Sequence, residues 1–462
     1  MTKYRTEDPT TGELIHNWTS ISSDEISAMI DAADKAFTAW RRTCIEERAG
    51  VLAKTAGLFQ KRAEELAQIA ATEMGKPVRQ GIREIQLVSQ IFDYYAEHAA
   101  LLMADDVLPS QGANSSRVEK EPLGVLLGVM PWNFPYYQLA RFIAPNLVLG
   151  NTLLLKPASI CAASALKMEE LLGEAGLPRN VYQTILADSS QIEGIIADPR
   201  VRGVSLTGSE AAGASVAAAA GKHLKKAVLE LGGSDPLIVL GGDIDAVADS
   251  AARARLSNAG QVCNSPKRMI VVDEFYDTFV NRLAADFSAA VVGDPRDEAT
   301  DVGPMSSIDA RDELMRLVDD AVDHGANVVV GGHPRPGAGA FMEATILTGV
   351  TREMRAWSQE LFGPVAVVYR VADVDEAVEL ANESTFGLSG SVWSDDLDLA
   401  EATARRLNVG MTYVNEHGTS LAGLPFGGVG RSGFGRELGT YGVDEFVNKR
   451  LLRVSNPVSA AR

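Results

Sequence analysis

The chain has 462 residues, 46% hydrophobic and 23% charged, which is enough for more than one hydrophobic core and for two or three domains. Lys and Arg number 43 against 61 Asp and Glu, a net charge of −18 spread without an acidic block, which argues against nucleic-acid and anionic-membrane partners. The opening MTKYRTEDPTTGELIHNW lacks the apolar core of a signal peptide, and the apolar run at 142–155 is broken by Pro145, Asn146, Gly150, Asn151 and Thr152, so neither a targeting segment nor a membrane span is expected.

Residues 23–104 repeat apolar positions at helical spacing (Ile26, Met29, Ile30, Ala33), with Ser23 and Asp24 as the expected cap. From 125 to 240, short β-type runs at 125–130, 152–155, 181–185, 204–206, 226–229 and 236–240 alternate with helical stretches at 162–175 and 209–220. That alternation predicts a Rossmann-like parallel sheet covered on both faces. A second α/β stretch spans 246–414, with strands near 269–272, 328–330, 365–369 and 411–414. The polar segment at 109–122 and the β-type run at 446–454 read as arms able to pair with another subunit. The fold class is therefore α/β: a cofactor-type domain at 1–108 and 126–232, a second α/β domain at 233–432, and a β arm at 109–125 and 440–462.

Three cysteines without CxxC spacing and six scattered histidines predict a reducing, cytoplasmic setting and no structural metal. Cys263, in NAGQVCNS, lies in a polar, Gly-containing connection between a helix-like stretch and a strand, as a reactive thiol would. Taken alone, it is as readily a small buried hydrophobe, the reading that suits Cys161; Cys44 gives no functional cue. Glu230, in AVLELGG, ends an apolar strand where α/β sites gather, and its leucine neighbours favour a raised pKa; a solvated strand end is the alternative. Asn133, in PWNFP, lies on a turn stiffened by two prolines, so its amide either faces a developing oxyanion or satisfies the turn itself. LKPAS at 155–159 and LTGSE at 206–210 are strand-end segments suited to a dinucleotide, although Ser209 could be an ordinary helix cap. The literal GxGxxG at 428–433 has no strand before it or helix after it, and is read as a decoy.

In order along the chain, PWNFP, LLLKPAS, SLTGSE, LELGG, GQVC, QELFGP (359–364) and LPFGGVGRSGFGRE (424–437) resemble the aldehyde dehydrogenase superfamily across essentially the whole length. Within it, PWNFPYYQLARF and LELGGSDP are most similar to the short bacterial succinate-semialdehyde dehydrogenases. The resemblance implies that Cys263 attacks an aldehyde, that Asn133 and the Cys263 N–H hold the oxyanion, and that Glu230 activates the water that hydrolyses the thioester. It implies an NADP or NAD site formed by Trp132, Lys156, Ser159, Gly208, Ser209, Glu360 and Phe362, with Lys156 on the adenosine side and Glu360 on the nicotinamide side. It also implies a homodimer or homotetramer.

Ser159 stands where many NAD-using relatives carry a glutamate, so NADP is the expected preference. The resemblance further implies a substrate tunnel with Tyr137 and Arg141, four residues apart on one face of a helix-like stretch at 137–149, and with Ser420 and Phe426, in which Arg141 grips a distal carboxylate and succinic semialdehyde is the leading substrate. Two positions depart from the longer relatives. Ser265, two residues after the nucleophile, cannot form the disulfide switch that a cysteine there allows, and Ser257 stands where those relatives carry a carboxylate-binding arginine. Other readings are a CoA-acylating enzyme, against which Glu230 counts, a broad-specificity small-aldehyde dehydrogenase, and a silent binding protein.

Overall fold

Residues 4–457 are described by the computed structural model, so positions 1–3 and 458–462 of the expected domain and arm lie outside the described residues. The expected helical opening resolves into the helices Ser23–Trp40, Ile45–Lys61, Ala63–Met74, Val78–Glu97 and Ala99–Leu102. The first is capped one residue earlier than the sequence suggests. The Ser22 hydroxyl accepts from Glu25 N at 3.2 Å while the Glu25 carboxylate accepts from Ser22 N at 2.7 Å. Ahead of it lies a hairpin, Tyr4–Asp8 with Glu13–Trp18, that the short, polar repeat of these residues did not announce.

Two parallel sheets follow. The first has the order Gly433–Phe434, Lys226–Glu230, Val201–Thr207, Val125–Val129, Thr152–Lys156, Tyr182–Thr184, parallel except for its first strand. The chain starts in the middle, builds outward on one side, then returns to build on the other, so the order reverses between Val125–Val129 and Val201–Thr207. A ligand crevice opens at the carboxyl ends of strands at such a reversal. Alternation divides the faces: Leu126, Leu153 and Leu155 join one apolar core, while Val125, Leu127 and Leu154 join another.

The second sheet has the order Asn327–Val330, Thr345–Thr348, Val365–Val371, Pro266–Val272, Asp235–Val239, Ser389–Trp393, Met411–Val414, parallel except for its first strand. The run at 236–240, read from sequence in series with the first sheet, belongs here, paired with Pro266–Val272 and Ser389–Trp393. The Gly232–Gly233 turn makes the crossing possible. A Cβ on Gly233 would sit 2.7 Å from the Cys263 carbonyl oxygen, and one on Gly232 would overlap the Glu360 carboxylate.

The two arm segments pair with each other: Val447–Val454 runs antiparallel to Ser115–Pro122, with Asp106–Leu108 on the far side. Leu451 and Val107 on this small sheet are exposed. The GxGxxG stretch is no phosphate loop. Val429–Gly430 pairs with Phe386–Gly387, Gly433–Phe434 runs beside Leu229 and Glu230, and the Ser432 hydroxyl donates to Gly232 O at 2.6 Å. No helix of the described residues is long and apolar enough to cross a membrane.

Candidate active site

Carboxyl ends of the first sheet face amino ends of the second. Val125–Val129 leads into Trp132 and Asn133, Thr152–Lys156 ends on Lys156, Val201–Thr207 leads into Gly208 and Ser209, and Lys226–Glu230 ends on Glu230. Opposite them, Cys263 precedes Pro266–Val272, and Glu360 with Phe362 precedes Val365–Val371. The result is an inner cavity of about 280 Å³ lined by Trp132, Asn133, Thr207, Gly208, Ser209, Glu230, Cys263, Glu360 and Phe362 among others. An outer cavity of about 370 Å³ is lined by Phe134, Tyr137, Ser257, Cys263, Ser265, Ser420 and Phe426, with Arg83 and Arg253 on its wall. Cys263 borders both.

Burial pushes the Cys263 thiol up to about 12, opposed by the positive charges of Arg141 and Lys267, so the sulfur rests as a thiol at neutral pH. The Asn133 side-chain amide is 4% exposed and donates one hydrogen to Gln261 O at 3.0 Å, which leaves its second hydrogen for the cavity. Glu230 is 1% exposed, and neither carboxyl oxygen has a protein partner. Burial raises its pKa well above the usual carboxylate range, with Arg141 opposing and Glu437 adding. A carboxyl raised in this way binds a proton more tightly than an exposed one, as a general base must.

The residues expected for a dinucleotide divide between two places. Gly208, Ser209, Glu360, Trp132 and Phe362 surround the inner cavity, where Ser209 caps the helix Glu210–Lys222 through Ala212 N and the Trp132 and Phe362 rings meet edge to face at 5.7 Å. Lys156 lines a separate cavity of about 600 Å³ together with Val129, Ser189, Ser190, Leu206 and Lys222. Ser159 is half-buried three residues beyond Lys156, its carbonyl accepting from Arg5 N, and its side chain does not reach the lining of that cavity. A helix N-terminus, an aromatic pair and a carboxylate around one cavity, with a lysine at a second cavity by a neighbouring strand end, fit the parts of a nicotinamide dinucleotide.

Arg141 departs from the sequence reading. Its helix, Tyr137–Leu149, forms as expected and Tyr137 faces the outer cavity, but Arg141 is fully buried and absent from the lining of either cavity. Its guanidinium is committed to an ion pair with Glu437, to Thr207 Oγ1 at 3.1 Å and to the Tyr137 hydroxyl at 3.3 Å, and stands 4.5 Å over the Phe426 ring. The buried carboxylate of Glu437 draws the arginine under the cavity floor and away from its wall. Tyr137 in turn donates to Ser420 Oγ at 2.8 Å, so the two predicted hydroxyls meet on that wall.

Sequence reasoning missed Lys267. Its side chain is 1% exposed, and its ammonium donates to Cys263 O at 2.7 Å and to Val262 O at 2.9 Å and pairs with Glu360 at 3.1 Å, tying the Cys263 segment to the Glu360 carboxylate. The charged pair Lys267–Arg268 at the head of a strand that goes on as Met269–Val272 was the available signal. Arg255 was missed too: it donates to Gly260 O, Ser265 Oγ, Leu361 O and Val365 O, stapling the loop of Cys263 to that of Glu360. Among the described residues, no group of His, Cys, Asp and Glu is arranged to hold a metal ion.

The sequence pattern of the aldehyde dehydrogenase family matches residues 1–452. The chain belongs to the aldehyde dehydrogenase family. It is 50% identical over 451 residues to a succinate-semialdehyde dehydrogenase [NADP(+)] of Deinococcus radiodurans, covering 97% of this chain and 94% of that one. A Mycobacterium ulcerans enzyme of the same description is 43% identical over 96% of this chain and 98% of that one. Among solved structures, the succinic semialdehyde dehydrogenase of Streptococcus pyogenes in complex with NADP+ superposes with a TM-score of 0.96 at 40% identity, covering 98% of this chain and 100% of that one. Membership makes the chain an enzyme of aldehyde oxidation, and the mixed α/β architecture is the family's own.

Proposed function

We propose that this aldehyde dehydrogenase oxidises succinic semialdehyde to succinate with NADP, using Cys263 as nucleophile and Glu230 as base. The observation that carries the reading is that one sulfur borders both cavities, with a buried amide and a buried carboxyl converging on the inner one. Relatives described as NADP-dependent succinate-semialdehyde dehydrogenases support the substrate and cofactor.

The Cys263 thiol gives its proton to solvent water at the outer cavity, and the thiolate sulfur bonds to the aldehyde carbon as the C=O π bond opens onto oxygen. The resulting oxyanion accepts from the free hydrogen of the Asn133 amide and from the Cys263 N–H. A bound dinucleotide would be held by Trp132, Gly208, Ser209, Glu360, Phe362 and Lys156, and would supply a two-electron hydride acceptor. Once the carbon stands at the thioester level, Glu230 takes a proton from water, the water oxygen bonds to the carbon, and the C–S bond breaks to release the carboxylic acid and the thiolate. Ser159, outside the lining of the Lys156 cavity, leaves this turn without the carboxylate whose charge would repel a 2′-phosphate.

The substrate carboxylate is received at the outer cavity by the Tyr137 and Ser420 hydroxyls and by the cations of its wall, Arg83 and Arg253. Arg253 lies one helical turn before Ser257, its charge already shared with Asp249 in an ion pair. Arg83 makes no ion pair among the described residues. The domain limits given above, with the three-stranded arm as the surface of a dimer or tetramer, complete the reading. Three free cysteines accord with a reducing, cytoplasmic setting.

The test is an absorbance assay of reduced cofactor over a panel of aldehydes with NADP and NAD. The highest kcat/KM is expected for succinic semialdehyde with NADP. Equal efficiency with butanal would reduce the reading to a broad-specificity enzyme, and no reduced cofactor with any aldehyde would leave a binding protein.

A further inference from the structure

We propose that the first turns of the helix Val78–Glu97 position the reaction centre, with Gln80 and Glu84 clamping the turn that carries Asn133 to the turn that precedes Cys263. The proposal rests on Asn133 acting as an oxyanion donor.

The helix Tyr137–Leu149 follows the PWNFP turn directly and receives no side-chain cap from its own N-terminal residue Tyr136. Its opening N–H groups find their acceptor on another helix: Glu84 Oε1 accepts from Tyr136 N and Tyr137 N, both at 2.9 Å. The other oxygen of Glu84 pairs with Lys76, both side chains being 1% exposed, and Lys76 Nζ stands 3.6 Å over the Phe134 ring. One buried ion pair therefore grips the PWNFP turn from two sides, by its following backbone and by its aromatic ring.

One turn before Glu84 on the same helix face, Gln80 grips the other partner. Its Oε1 accepts from Asn258 N at 2.6 Å, and its Nε2 donates to Asp301 O at 2.9 Å. Asn258 and Ala259 both lie in the left-handed region at φ +52°, a conformation that side-chain-bearing residues resist and that must be held from outside. Held so, Asn258 donates through Nδ2 to Asn133 O at 2.8 Å, while Asn133 donates through its own Nδ2 to Gln261 O at 3.0 Å. The bonds run Gln80, Asn258, Asn133, Gln261, two residues short of Cys263. Neither Gln80 nor Glu84 lines the inner cavity, so both act through the residues they hold.

The test measures the single-turnover rate of reduced-cofactor formation, KM for both substrates and the melting temperature. Asn133→Ala alone should slow the rate on the order of a hundredfold. Gln80→Ala should slow it on the order of tenfold with both KM values within about twofold, since a small misplacement of a donor costs rate. Gln80→Glu, which keeps the acceptor for Asn258 N, should restore most of the loss. In an Asn133→Ala background, Gln80→Ala should cost less than about twofold more, because its effect passes through the missing amide.

For the ion pair, Glu84→Gln with Lys76→Met keeps an acceptor and should stay within about threefold of the parent rate, whereas Glu84→Val with Lys76→Met should fall on the order of tenfold. An unchanged rate in Gln80→Ala beside a slow Asn133→Ala overturns the clamp alone, as does a full tenfold loss that persists without Asn133. A parent-like rate in Asn133→Ala overturns the oxyanion reading and the clamp with it.

Discussion

The two cavities that meet at Cys263 are built differently. The inner one is assembled from the ends of strands: Asn133, Gly208, Glu230 and Glu360 each lie within a few residues of a strand terminus, and the sheet order fixes where they converge. The outer one is assembled from side chains of helices and of the loop carrying Ser420, and its charges depend on which partner each long side chain finds. Chemistry is thus encoded where backbone geometry leaves little choice. At the outer cavity, by contrast, a single buried carboxylate, Glu437, pairs with Arg141, which is absent from the lining.

Substitutions can separate the two. The largest effect belongs to the shared sulfur: Cys263→Ala should lower aldehyde oxidation by roughly 10⁴-fold or more, while Cys44→Ala and Cys161→Ala leave it near the parent value in the same assay. Substantial reduced-cofactor production by Cys263→Ala would remove the nucleophile from the scheme.

Glu230→Gln comes next, with steady-state turnover lower on the order of 10²- to 10⁴-fold behind an intact first burst of reduced cofactor in rapid mixing, because hydrolysis alone needs the base. The same carboxyl sets the pH response. A pKa raised by burial means that the basic form is scarce at low pH and accumulates as pH rises, and the high Cys263 pKa acts in the same direction. Turnover should therefore climb from pH 6 to pH 9, and a flat profile would contradict both assignments.

At the outer cavity the effects should be smaller and selective. Replacing Arg83 and Arg253 together by Ala should raise KM for succinic semialdehyde about tenfold with little change for butanal, since only the former loses a charge partner. Arg141→Ala, which unpairs the buried Glu437, should impair both aldehydes alike and lower the melting temperature. A loss confined to succinic semialdehyde in Arg141→Ala would return that arginine to the substrate. Smallest of all, Ser159→Glu should move the ratio of kcat/KM for NADP over NAD several-fold toward NAD.

What was legible in the sequence follows the same division. Tyr137–Leu149 and Met411–Val414 form at the expected limits because apolar periodicity and flanking breakers coincide there. Thr345–Thr348 and Ser389–Trp393 were invisible, being short strands whose burial comes from neighbours on both sides and not from any pattern of their own. The run at 236–240 was legible as a strand but not as a member of the second sheet, since pairing partners are distant in the chain. Lys267 and Arg255 escaped notice for a related reason: a charged residue in an apolar segment declares that it has a partner without declaring which. The pairing of 115–122 with 447–454 was likewise unreadable, since two exposed, polar strands carry no mark of whether they join within a chain or between chains.

A sulfur atom that borders two cavities gives this enzyme two doors. On the proposed mechanism, the aldehyde and the acid pass by the outer mouth while the dinucleotide occupies its own crevice, so neither substrate has to wait for the other to leave. That independence has a kinetic cost: an aldehyde can return to Cys263 while spent cofactor still fills the inner cavity, and the sulfur then holds a substrate it cannot oxidise. Turnover should therefore decline at high aldehyde concentration, and should recover when fresh oxidised cofactor is supplied in excess.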